Sequence, residues 1–251
     1  MGQFSVPSWV VLLAVLLAWG RLTPVVPVEA GEPLTVVELF TSQGCPRCPP
    51  ADAVLREISA QPGVLALSIH VDYWDYLGWR DPYATAEGTQ RQRDYAARFG
   101  LRYVYTPQMV IQGVDHLPGT DPTEVLQRVA DAASADQVSV SLERRGSEHL
   151  RVDVGARSSG QVLPADVWLV TFDRERSAEV QSGHNAGSLL RHANVVTGLR
   201  RIGTWGGQAH ELQVRLSEAG PASADSAAVM VQAVDSGQII GAAVIALPLR
   251  P

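Results

Sequence analysis

The chain of 251 residues contains no lysine: all twenty of its basic side chains other than histidine are arginine. Without a side-chain amine that loses its proton readily, Schiff-base and lysine-nucleophile chemistry is excluded. Basic tracts are absent as well. Arg144-Arg145 and Arg200-Arg201 are isolated doublets and the net charge is −6, so nothing directs the chain to nucleic acid. Cysteine is nearly absent, with two residues, Cys45 and Cys48. A second C-x-x-C is missing, so a tetrahedral metal site on these thiols lacks two ligands. No internal repeat, low-complexity tract or long linker is visible, and the apolar fraction of 46% is ordinary for a globular protein.

A long hydrophobic run is also lacking. Val10 to Ala18 is apolar, but at about 1.5 Å per residue it covers only about half of a roughly 30 Å hydrocarbon core. That length suits a secretory signal, and Val28-Glu29-Ala30 offers small residues where a signal peptidase reads, so cleavage is expected after Ala30. No Lys or Arg precedes the run, and the rival is an uncleaved anchor extending through Val28. Removing residues 1–30 takes away Arg21 and Glu29 together, so the mature charge stays at −6. The expected location is therefore the periplasm or the exterior, with no membrane contact after cleavage.

The two cysteines sit together as Cys45-Pro46-Arg47-Cys48, after the strand-like Leu34 to Phe40 and before a helix-like stretch from Ala51 to Ala60. A strand feeding a C-x-x-C at the start of a helix is how thioredoxin-like folds present a reactive thiol pair. As a mere staple the pair is worth little, about 2 kcal/mol for so short a loop.

The spacing predicts an α/β first half from about residue 31 to 135, with strand and helix alternating. Val64 to Val71 reads as a strand covered on both faces, followed by an aromatic loop from Asp72 to Tyr83. A polar helix runs from about Glu87 to Phe99, ended by Gly100. Met109 to Ile111 and Val114 to Leu117 form a hairpin around Gly113. Asp121 then caps a last helix, with Pro122 in its first position, reaching to about Ala133. The order β-α-β-α-β-β-α is that of thioredoxin, and Thr106-Pro107 falls where such proteins hold a cis-proline facing the C-x-x-C. Residues 136–251 change character. Val138–Leu142, Leu150–Val154, Asp166–Phe172, Leu212–Leu216, Ala227–Val234 and Ile239–Leu247 read as strands of a mostly antiparallel β-sandwich-like domain.

Several stretches resemble a bacterial exported thioredoxin-like family catalogued as domain of unknown function 1223. They are Val37 to Cys45 with Cys48-Pro-Pro-Ala-Asp52, His70 to Asp75 with Leu77-Gly-Trp79, and Tyr105 to Val110. Asn185-Ala-Gly187 with His192-Ala-Asn-Val-Val196 completes the set. The resemblance spans nearly all of the mature chain and implies a thioredoxin-like domain joined to a β-rich one; it supplies no activity. Small polar residues look more usual for the family at the middle positions held here by Pro46 and Arg47.

The residues themselves point to dithiol–disulfide exchange. Cys45 is expected to be the exposed nucleophile, its thiolate favoured by the helix N-terminus and by Arg47. Cys48, deeper in the helix, resolves the mixed disulfide. Pro107, with Thr106 beside it, presents backbone to a bound chain. Pro49 and Pro50 deny two helix N–H groups, which opens the alternative that the regular helix starts beyond Cys48. Arg47 leans the pair towards an oxidant or isomerase. The expected partners are thiol or disulfide protein substrates and a redox partner, and no cofactor is expected. A copper or other thiophilic-metal carrier using Cys45, Cys48 and His70 is the alternative. A non-catalytic interaction module is a further one. Blander roles are expected for His70 and His116 as hydrogen-bonded histidines and for Asp72 and Asp75 as loop caps. Trp74, Tyr76 and Trp79 suit a peptide-binding lip or packing over the sheet edge equally. His184, Asn185 and His192 read as a turn leading into a strand, with no Ser or Cys nucleophile beside them to complete a triad.

Overall fold

The computed structural model describes residues 1–2, 32–133, 137–146, 148–157, 164–218, 220–221 and 223–247. The expected signal segment, and residues 134–136 at the expected domain boundary, lie outside the described residues. Among those described, no helix is long and apolar enough to cross a membrane.

The first half follows the expected order. Strand β1 (Thr35–Thr41) is buried along its whole length, Glu38 at its centre included, as expected of a strand covered on both faces. Helix α1 (Cys48–Ile58) crosses to β2 (Val64–His70), which pairs parallel to β1 with Thr35 opposite Val64. After the aromatic loop, helix α2 (Ala86–Arg98) starts at Thr85, whose hydroxyl accepts from Gly88 N–H. Strands β3 (Gln108–Ile111) and β4 (Asp115–Leu117) form the hairpin, β3 antiparallel to β1. Helix α3 (Pro122–Ala132) begins as expected, Asp121 accepting from the N–H groups of Thr123 and Glu124.

The second half corrects the expectation in part. It contributes β5 (Val140–Arg145), β6 (His149–Val154), β7 (Ala165–Glu179), β8 (Leu189–Trp205), β9 (His210–Arg215), β10 (Ser226–Ala233) and β11 (Ile239–Ala246). Only β5, β6 and β9 make a separate small antiparallel sheet. The other four continue the sheet of the first half, in the order β11-β10-β7-β8-β2-β1-β3-β4. The join is parallel, between Ser68 of β2 and Val195 of β8. Asn194, in the left-handed region at φ 49°, turns its carboxamide to donate to Ala66 O at 2.7 Å. A sandwich does exist, but it is local: Leu150 and Val152 of the small sheet pack on Val167, Leu169, Val229 and Val231 of the large one.

The large sheet coils until its far edge returns to the first half. Ile239 N–H donates to Gln112 O at 2.9 Å and the Gln112 carboxamide donates to Ile239 O at 2.6 Å. Gly113 permits this approach, because a Cβ there would lie 2.1 Å from Gly237 O. Inside the coil, Val36, Phe40 and Leu67 share one core with Tyr95, Val170, Met230 and Ile239.

One ion pair lies in this core. Glu38, fully buried on β1, takes a bidentate contact from Arg91 of α2 through Nε and Nη2. The Tyr95 hydroxyl also donates to Glu38, and Gln232 of β10 accepts from Arg91 Nη1 at 3.3 Å and donates to Tyr95 Oη at 3.0 Å. The guanidinium lies over the Trp168 ring, 5.2 Å from its centroid. Burial would lower the Arg91 pKa, but the Glu38 charge, Tyr95 and the hydrogen bond to Glu38 together outweigh it and raise the value above the ordinary one. Arg91→Met leaves the Glu38 carboxylate buried without its counter-charge. It is expected to cost about 3–5 kcal/mol in urea unfolding, part of which Glu38→Gln in the same chain restores.

Candidate functional site

Cys45 and Cys48 form a disulfide with their Cα atoms 5.5 Å apart. Helix α1 starts at Cys48 itself, with Arg47 as its N-cap and prolines in its first turn. Prolines are tolerated there because first-turn N–H groups have no helical partner in any case. The helix start is therefore not displaced beyond Cys48, which occupies the first turn and not a deeper position. Pro49 and Pro50 have no N–H to offer, and Cys48 N–H is bonded to Cys45 O at 3.3 Å, so few free donors face the sulfurs. Arg47 is exposed.

Cys45 is buried where the sequence suggests exposure: both cysteines have 0% exposure. The cover involves the second half of the chain. Between β7 and β8 the chain turns through residues 180–188, and Asn185 donates to Gln43 O at 2.8 Å and to Cys45 O at 3.0 Å. The same turn is fastened to the aromatic loop, where Ser182 Oγ donates to Gly78 O and Gly183 abuts Trp79.

Buried polar side chains cluster beside the cysteine loop. His70, at the end of β2, places Nδ1 2.7 Å from Asp81 Oδ2. Asp81 Oδ2 also accepts Gln43 N–H at 2.8 Å, while Oδ1 accepts Tyr83 N–H at 2.9 Å. Burial alone would raise the Asp81 carboxyl, but the His70 charge and these hydrogen bonds outweigh it and hold the group below its ordinary value. His192 of β8 lies against His70, ring centroids 4.6 Å apart, with its Nδ1 3.5 Å from Asp52 Oδ1 of α1. Its Nε2 is 3.5 Å from Gln43 Nε2. Among the described residues no group of three His, Cys, Asp or Glu side chains is arranged to hold a metal ion. His70, the third ligand of the metal alternative, instead faces Asp81.

The Thr106-Pro107 peptide bond is cis. Because Phe40 pairs with Gln108, Pro107 flanks the end of β1 from which the cysteine loop departs. Trp74 bridges the two loops, its indole N–H donating to Thr106 Oγ1 at 2.8 Å while its Cβ packs beside Gly44. Trp79 donates to Gln43 Oε1 at 2.9 Å, whereas Tyr76 is 82% exposed. Asp72 accepts from Thr89 Oγ1 and Asp75 from Asp81 N–H, so both tie the loop. His116 lies away from this cluster, its Nδ1 2.9 Å from Tyr105 Oη.

Residues 36–232 match the family model described as protein of unknown function (DUF1223). The chain belongs to this family. It is similar to protein AGR_C_4864 from Agrobacterium tumefaciens, known from an X-ray crystal structure. Identity is 35% over 86% of this chain and 96% of that one, with a TM-score of 0.73. A domain of the outer membrane lipoprotein Omp28 from Porphyromonas gingivalis aligns at 13% identity over 47% of this chain and 93% of that chain, with a TM-score of 0.20. No curated protein matches the chain. Membership of the DUF1223 family brings no activity with it, so the chemistry must come from the geometry.

Residue-level reading of the sequence does not single out Asp52, Gln43 or Asp81, and it gives Asn185 and His192 only as a turn leading into a strand. The family stretches include Gln43, Asp52, Asn185 and His192. The positions of Asn185 and His192 beside the cysteines depend on where β8 joins the sheet.

Two outcomes are expected. Asn185→Ala removes the two bonds that hold the turn over the cysteine loop, each worth about 1 kcal/mol, so dithiothreitol should reduce the disulfide up to about 30-fold faster. Stopped-flow tryptophan fluorescence reads this rate. Asp81→Asn should destabilise the protein by about 3 kcal/mol at neutral pH. The folded-state carboxyl lies below its ordinary value of 3.8, so its contribution is present above that pH and is lost as pH falls through the folded value. The gap between wild type and variant in urea unfolding should therefore narrow in acid.

Proposed function

We propose that this protein is a thiol–disulfide oxidoreductase, built on a thioredoxin-like first half and acting after export. The observation that carries the reading is the Cys45–Cys48 disulfide at the first turn of α1, directly after the strand β1. The cis bond at Thr106-Pro107, beside the end of the same strand, supports it. So does the strand arrangement around β1, with β2 parallel on one side and β3 antiparallel on the other. The apolar run Val10 to Ala18 supports export to an oxidising compartment, where a catalytic disulfide is maintained.

In this reading the resting protein is closed. A partner thiolate reaches Cys45 only after the turn at 180–188 has moved, and its attack on Cys45 Sγ expels the Cys48 thiolate. Pro107 and Thr106 lie where an extended partner chain pairs with backbone, and the exposed Tyr76 adds apolar surface nearby in sequence to the bridging Trp74. The partners are thiol or disulfide proteins and a redox partner that resets the pair.

Equilibration of the full chain with glutathione buffers tests this. The disulfide should exchange with a defined potential, and Cys45→Ser should abolish mixed-disulfide turnover. A value of about −120 to −200 mV assigns an oxidant or isomerase and about −270 mV a reductase. A disulfide that stays intact in reduced glutathione, in wild type and in Asn185→Ala alike, overturns the proposal.

A further inference from the structure

The buried groups around the disulfide are unequal. The His70–Asp81 contact closes to 2.7 Å and is reinforced by backbone donors. Its neighbour does not close. Asp52 Oδ1 and His192 Nδ1 face each other at 3.5 Å, both buried and neither with a hydrogen-bond partner among the described residues. An orphaned buried polar atom costs about 1–3 kcal/mol. His70 Nε2 is without a partner too, but its Nδ1 is engaged by Asp81, whereas Asp52 Oδ1 and His192 Nδ1 are open towards each other.

Their placement relates them to one sulfur. Cys48 and Asp52 are one helical turn apart on the buried face of α1, and helical side chains lean towards the N-terminus, so Asp52 projects over the turn that Cys48 begins. Helix α1 packs on β8, which carries His192. The titratable and charged groups facing His192 are Asp52 from α1, His70 from β2, Tyr83 from the loop before α2, its ring centroid 6.0 Å away, and Arg176 of β7, which pairs with His192 across the sheet and is held by Asp173. Asp81 stands behind His70, and Gln43 is the neutral neighbour.

We propose that Asp52 and His192 form a proton-transfer pair for the Cys48 thiol, with His192 holding and orienting the Asp52 carboxyl from the β-rich half. This rests on the disulfide-exchange reading above. On reduction, a thiolate bonds to Cys45 Sγ and the Cys45–Cys48 bond breaks. The electron pair leaves on Cys48 Sγ, which takes the proton held by the pair. On oxidation by a disulfide such as oxidised glutathione, the Cys45 thiolate first forms a mixed disulfide and releases one glutathione thiolate. Cys48 then gives its proton to the pair, attacks Cys45 Sγ and expels the second glutathione thiolate, which is protonated by solvent. The protein loses two electrons to the glutathione disulfide. Cys48 is a poor nucleophile as a buried thiol, so the pair matters most where little free thiolate exists, below about pH 7.

The test is the oxidation of the reduced full chain by oxidised glutathione, followed from about pH 5 to pH 9 in wild type, Asp52→Asn and His192→Asn. Asp52→Asn should slow closure of the disulfide about 100-fold near pH 6, and His192→Asn about tenfold with a displaced pH profile. Both deficits should shrink at alkaline pH, which a merely structural role would not produce. Folded variants that keep the wild-type rate and profile overturn the proposal. Wild-type protein that fails to exchange with glutathione at all overturns the oxidoreductase reading first, and this proposal with it. Should the variants not fold, imidazole NMR titration of His192 in wild type decides. Its midpoint should differ between disulfide and dithiol forms, and identical midpoints overturn the proposal.

Discussion

The parallel contact between β2 and β8 is the joint on which the rest of the architecture depends. It is narrow, a single bridge between Ser68 and Val195, backed by the Asn194 carboxamide on Ala66 O. Through it one strand does three things at once. It extends a four-stranded sheet into an eight-stranded one, it brings His192 against His70, and it positions the preceding turn so that Asn185 reaches Cys45 O.

Much of the first half was legible because its signals are local. Asp121 and Pro122 announce a helix start by backbone chemistry alone, and β1 and β2 announce burial by mostly apolar sequence, with Glu38 and Ser68 the exceptions within them. The second half was legible as strands but not as an assembly. Strand β8 is the longest element among the described residues and the least evident, because Gly198 and Gly203 interrupt it and its exposure does not alternate cleanly. Pairing between β2 and β8 joins segments far apart in sequence, and no residue periodicity encodes which edge a strand will choose. Hence the sandwich that the pattern suggests is confined to the packing of β5, β6 and β9.

The site divides along the same line. The cysteines and Pro107 were legible by spacing, since their chemistry and their place in the chain order are tied together. Their burial was not, because it is imposed by a turn more than a hundred residues downstream, at a distance set by the sheet. The polar groups beside them show how the protein treats charge in its interior. Where a carboxylate is structural, as in Glu38 and Asp81, it is saturated with donors. Asp52 Oδ1 is left open to His192.

The Glu38 network has a further consequence, for the order in which the chain can acquire structure. Its members come from β1, α2 and β10: the Glu38 carboxylate is held by Arg91 and Tyr95 of α2, and these two gain their last partner, Gln232, only when almost the last strand has arrived. Until then the first half has an unpaired edge along β2 and an incompletely satisfied charge pair in a half-built core. A nascent or truncated chain ending before β7 is therefore no miniature of the native protein. The contacts that complete this core join residues 141 and 137 positions apart in the chain, a separation that slows pairing relative to local contacts.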